Sequence, residues 1–116
     1  MSEYKPDRWV MLKFTNTSNG KVVYKVLAGW AGSYTYGASW KLNSGVTEVE
    51  RDGDFYLFSG YSGSVYKCHK NSYGLSAYTA GILESFYEQL KDVSDTKLEC
   101  MDEDITDFMS INYVDN

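Results

Sequence analysis

The chain has 116 residues, enough for one domain, and 43% of them are hydrophobic and 23% charged, which excludes disorder and fibrous repeats. A domain of this length buries roughly two-thirds of its unfolded surface, so a core needs no disulfide or metal staple. Net charge is −5, split between +2 over residues 1–91 and −7 over residues 92–116, and the body lacks the dense Lys/Arg stripe of a duplex-DNA binder. The start Met1-Ser2-Glu3-Tyr4-Lys5 is no signal peptide and no run reaches the ~20 apolar residues of a membrane helix, so a cytoplasmic location without membrane attachment is expected.

Residues 9–15 (WVMLKFT) read as a strand with Val10, Leu12 and Phe14 on one face. Asn19-Gly20 closes the turn that follows, and residues 21–28 (KVVYKVLA) return as the second arm of a hairpin. Residues 29–37 (GWAGSYTYG) hold three glycines and three large aromatics, which permits only a broken strand. A short strand is expected at residues 39–43. Residues 46–51 and 55–58 form a second hairpin through Asp52-Gly53, with a type I′-like turn. Gly60-Tyr61-Ser62-Gly63 is an aromatic loop, residues 64–69 (SVYKCH) are a strand, and residues 70–74 are a polar turn.

After Leu75 the period changes. Tyr78, Ile82, Phe86 and Leu90 recur every fourth residue with Leu83 beside them, Ser76 is placed to cap the N-terminus, and Gly81 lies inside the helix. Residues 97–101 supply a last strand, and residues 102–109 a short helical turn with Ile105, Phe108 and Met109 inward. The expected fold is α+β: an antiparallel meander of about six to seven strands with one main helix, in the C-terminal half, packed on it.

Catalytic constellations are scarce. The single histidine, His69, follows Cys68 in a strand, where neighbours point to opposite faces, and Cys100 is the remaining thiol. Two cysteines and one histidine cannot complete a zinc site. Asp102-Glu103-Asp104 and Asp107 lack the glycine a calcium loop requires and read as a solvated segment. Phosphate-loop and dinucleotide glycine motifs are absent from the sequence. No enzyme activity, cofactor or metal is therefore expected.

Three segments, 30–36, 39–45 and 60–67, mix glycine, serine or asparagine with aromatics or lysine. Such mixtures offer ring faces to a base, with stacking worth roughly 1–3 kcal/mol, and hydroxyls, amides and lysines to phosphate oxygens. The competing reading is tight turns whose aromatics cover the sheet ends.

At Ser39-Trp40-Lys41-Leu42-Asn43-Ser44-Gly45, Ser62-Gly63-Ser64-Val65-Tyr66 and Met101-Asp102-Glu103-Asp104 the chain resembles a widespread family of small phage-borne proteins, over roughly residues 9–107. It is similar in particular to the viral nucleotide sponges that defeat cyclic-oligonucleotide antiphage defence (CBASS). The resemblance implies a non-enzymatic homo-oligomer, a tetramer, that sequesters a cyclic dinucleotide such as 3′3′-cGAMP in the host cytoplasm. Nanomolar capture corresponds to about −12 kcal/mol and calls for enclosure on both sides of the ligand, which a two-fold interface would supply. In this reading Trp40 stacks together with Tyr36 or Tyr61, Lys41 and Lys67 meet phosphate, and Asn43, Ser62 and Ser64 donate hydrogen bonds. Two other readings stay open: a protein-binding inhibitor of a host enzyme, acting through exposed aromatics and the acidic C-terminal segment, and a hydrolase of the same ligand.

Overall fold

The computed structural model describes residues 3–33, 37–104 and 106–113. They form β1 (Glu3–Tyr4), β2 (Arg8–Asn16), β3 (Val22–Ser33), β4 (Gly37–Leu42), β5 (Val46–Asp52), β6 (Phe55–Gly60), β7 (Val65–His69), a 3-10 turn (Lys70–Ser72), α1 (Ala77–Leu90) and β8 (Thr96–Cys100). The α+β class and the helix packed on sheet are as the sequence predicts. The strands divide, however, into two four-stranded sheets: a central sheet ordered β4-β3-β2-β8 and a flanking sheet ordered β1-β7-β6-β5. Every pairing is antiparallel except β1 with β7, where Glu3 lies beside Val65 and Tyr4 beside Tyr66.

The division follows from β2. Trp9, Val10, Met11 and Leu12 are all at most 2% exposed, so this strand is buried on both faces rather than on one. Alternation sends Trp9 and Met11 toward the flanking sheet, where they meet Val26, Ala28, Phe58 and Cys68. Val10 and Leu12 point the other way, to Leu27, Leu98 and the helix residue Leu83, with Phe14 at the edge of that group. The result is three layers: helix, central sheet, flanking sheet.

Helix α1 starts where the sequence places it. Ser76 Oγ accepts from the backbone N of Thr79 at 3.1 Å, and Thr79 Oγ1 accepts from the backbone N of Ser76 at 2.9 Å, a reciprocal cap. Thr79 and Leu83 are its buried residues, whereas Tyr78, expected on the inward stripe, is 39% exposed. The reason lies in Gly29, where a β-carbon would collide with Thr79 Cγ2, so the helix start is seated on a bare backbone that admits a small side chain.

Two turns also differ from expectation. Gly20 (φ 75°) and Gly53 (φ 58°) take the left-handed conformation, and no described non-glycine residue does, so neither hairpin uses a type I′ turn with two such residues. Beyond β8, Phe108 is buried in the aromatic layer and Met109 is 43% exposed; among the described residues of 102–109 there are isolated turns and no helix, and Ile105 lies outside the described residues. Asp107 organises this segment instead, accepting from Met109 N at 3.1 Å and from Ser110 Oγ at 2.7 Å, which lowers its pKa.

Candidate ligand cleft

The segment after β1 is tied to β3 by three hydrogen bonds: Asp7 N to Gly29 O at 3.0 Å, Trp30 Nε1 to Lys5 O at 3.0 Å, and Ala31 N to Asp7 Oδ2 at 2.8 Å. They hold the edge of the flanking sheet against β3, next to the edge strand β4 of the central sheet. Between the two edges lies an open cleft of about 510 Å³, within the range of small-molecule sites. Glu3, Tyr4 and Lys5 border one side, and Trp30, Ser39, Trp40 and Lys41 the other.

Tyr4 is wedged in place by Trp30, edge-on at 6.3 Å between centroids, and by Tyr66 at 5.2 Å. Lys41 sits opposite Ala28 in the β3–β4 register, so its side chain shares the face that looks toward the flanking sheet. Its Nζ lies 5.0 Å above the Tyr4 ring centroid. Among the described residues, no carboxylate lies within 4.0 Å of that ammonium. A cation without a carboxylate partner among the described residues, held over a phenol ring beside an indole, is an arrangement that attracts an aromatic anion.

Trp40 is among the residues that border the cleft, but its ring has another partner. It pairs with Gly29, one residue out of phase with Lys41, and its ring packs edge-on against Phe86 of α1 at 5.5 Å, on the helix side of β4. A stacking role beside Lys41 is therefore not available to it in this arrangement.

The remaining expected site residues are elsewhere. Asn43, Tyr61, Ser62 and Ser64 gather where the β4–β5 and β6–β7 turns touch, at the point where the chain crosses between sheets. Ser62 N donates to Ser44 Oγ at 3.0 Å, Tyr61 N to Gly45 O at 3.1 Å, and Gly60 N to Ser64 O at 3.0 Å. Asn43 is 2% exposed; its Oδ1 accepts from Gly45 N at 2.9 Å, and its Nδ2 has no partner among the described residues. The Ser44–Ser62 and backbone contacts join the two turns, and the Asn43 amide nitrogen takes no part in them. Tyr61, 63% exposed, and Ser62 are presented to solvent, and Ser64 is half-buried. Lys67 faces the outer side of the flanking sheet, paired with Asp52 at 3.7 Å. Tyr36 lies outside the described residues.

The cleft thus brings together Lys41 and the flank of Trp40 from the expected set, and adds Tyr4, Lys5 and Trp30, which the sequence reading did not assign to it. Trp30 stood in the first glycine-aromatic segment. Tyr4 carried no signal, because a two-residue strand paired in parallel leaves no period to read.

Cys68 is buried in the core and burial pushes its thiol well up, while His69 lies on the opposite face of β7. Cys100 belongs to the other sheet, and burial raises its thiol also. Neither thiol is held as a thiolate beside the imidazole. Comparison of the chain and its fold with protein-family models, curated proteins and solved structures gave no match.

Proposed function

We propose that the protein is a non-enzymatic viral sponge that captures a cyclic dinucleotide immune signal, such as 3′3′-cGAMP, in the cleft between β1 and β4. The observation that carries this reading is the Lys41 ammonium, unpaired among the described residues and poised over Tyr4 beside Trp30 in a 510 Å³ cleft. One phosphate on Lys41 and one base against the Tyr4–Trp30 wall use both kinds of group. The cleft is open, so a homo-oligomer, which the sequence resemblance implies as a tetramer, would supply the missing wall. The host cytoplasm, where such a signal circulates, is the corresponding place of action.

Calorimetric titration with 3′3′-cGAMP, followed by heating and recovery of the nucleotide, tests the proposal. Saturable binding is expected, with the intact ring released, and Lys41→Ala should weaken it about tenfold, the worth of one charged hydrogen bond. Absence of binding sinks the reading, and recovery of a linear nucleotide selects a hydrolase instead.

The exposure of Tyr61, together with that of Asp102, Glu103 and Asp104, favours a second reading, inhibition of a host protein through an aromatic and acidic surface. It calls for co-purification of one host protein, weakened by Tyr61→Ala, with no response to nucleotide.

A further inference from the structure

A separate cluster lies on the outer face of the flanking sheet. The β6–β7 register places Phe55 directly opposite His69, and Lys67, two residues back along β7, shares their face. Lys5, just beyond β1, joins them from the neighbouring strand. Its Nζ and that of Lys67 each lie 4.9 Å from the Phe55 ring centroid. The His69 ring meets the same Phe55 ring edge-on, also at 4.9 Å. Two ammonium groups and an imidazole are therefore gathered around one benzene ring.

Each nitrogen is available. His69 Nδ1 accepts from the backbone N of Asn71 at 3.0 Å, which assigns the proton of the neutral imidazole to Nε2 and makes that atom a donor. Among the described residues no carboxylate lies within 4.0 Å of the Lys5 ammonium. Lys67 is held by Asp52 alone, at 3.7 Å with the carboxylate side chain 65% exposed, a weak surface pair that a more highly charged anion displaces.

We propose that Lys5, Lys67 and His69 form a binding site for a single dianionic phosphoryl group. A phosphate monoester or inorganic phosphate carries about −1.5 to −2 charge near neutral pH and three acceptor oxygens, matching two cations and one neutral donor. A carboxylate brings one charge and leaves one ammonium unneutralised. A nucleic-acid strand is disfavoured by the rest of the face: Glu48 and Glu50 stand opposite Ser59 and Leu57 on β6, and Glu3 opposite Val65 on β7, all on this side of the sheet. Their carboxylates would repel a polyanion and leave room for one compact group. The site shares Lys5 with the border of the cleft, whereas Lys67 and His69 lie on the outer face of the flanking sheet and are not among the cleft's bordering residues.

His69 is the chain's single histidine, so its imidazole C–H resonances report the site without ambiguity. They should be followed by NMR during titration with inorganic phosphate, and separately with adenosine 5′-monophosphate, at fixed pH and ionic strength. Saturable shifts are expected, with Kd raised about tenfold in Lys5→Gln and in Lys67→Gln, each having lost one charge-assisted bond. Both variants remove the charge and keep part of the aliphatic stem, and Lys91→Gln at the C-cap of α1 should leave the curve unchanged. Tighter binding of the monophosphate would mark the ester as the source of the phosphoryl group, and equal binding the free ion. Shifts that fail to saturate, or that are the same in wild type, Lys5→Gln and Lys67→Gln, overturn the proposal.

Discussion

The two faces of the central sheet are packed with different materials. Toward the flanking sheet the contacts are aromatic: the Trp9 ring lies 4.7 Å from Tyr73, 5.3 Å from Phe108, 5.4 Å from Phe58 and 6.1 Å from Tyr56, mostly tilted or edge-on. Toward the helix they are aliphatic, with Val10, Leu12, Leu27 and Leu98 beneath Leu83. Edge-to-face rings carry directional terms beyond area burial, whereas aliphatic packing stabilises through the apolar area it removes from water. The aromatic layer also carries hydrogen bonds that fix its geometry. Trp9 Nε1 donates to His69 O at 2.8 Å, and Tyr73 Oη accepts from Met11 N at 3.1 Å while donating to Met101 O at 2.6 Å. Burial pushes the Tyr73 hydroxyl far up, so those bonds are kept across the working pH range. One layer therefore sets position, and the other mainly excludes water.

Substitutions on each face can break this contrast. Trp9→Ala should have the largest effect, about 3–5 kcal/mol, because it opens a cavity among four rings and leaves the His69 carbonyl without its donor. Against a total stability of about 5–15 kcal/mol, chemical denaturation should find the variant near its unfolding threshold, with its near-UV circular dichroism collapsed. A native-like spectrum and midpoint would show that the ring cluster is not the organising layer.

Leu83→Ala should cost less, about 2–3 kcal/mol, since the helix can settle partway into the space. Hydrogen exchange should then show lost protection in α1, while the amides of β6 and β7 stay protected. Uniform loss across both layers would mean that they unfold as one unit. Gly81→Ala, the smallest change, should raise stability by up to about 1 kcal/mol, because a β-carbon there meets nothing and glycine is a poor helix former. A thermal midpoint that stays level or falls would place an unseen constraint on that turn of the helix.

Local structure was largely legible in the sequence. The β2–β3 and β5–β6 hairpins, the Ser76 cap and the inward Ile82, Leu83, Phe86 and Leu90 all follow from neighbours within a few positions. The partition into two sheets was not, because alternation tells which residues share a face and says nothing about which sheet owns the strand. The one clue was the unbroken run Trp9-Val10-Met11-Leu12, which marks a strand covered on both sides. Lys41 was expected at a ligand site, but its companions come from far apart: Tyr4 from β1, placed by the parallel pairing with β7, and Trp30 from β3, tied to the following segment through Lys5, long-range contacts without a local signature. Trp40 misled for a similar reason: its glycine-rich surroundings suggested a ligand platform, whereas its partner is Phe86 in the helix. Ser62 has the polar chemistry of a binding loop and joins two turns through Ser44, while the Asn43 side-chain oxygen accepts from Gly45 N within its own turn.

The pairing of β2 with β8, which sets Leu12 beside Cys100 and Phe14 beside Leu98, has a kinetic consequence. β2 finds this second neighbour only after β3 to β7 and the helix, which lie between the two in the chain, have left the ribosome. Closing so long a loop carries an entropic penalty that folding must meet before the helix layer can seal, and topologies of this kind fold slowly. Until then the β2 edge destined for β8 stands open, and the nascent chain is exposed to mispairing with its neighbours.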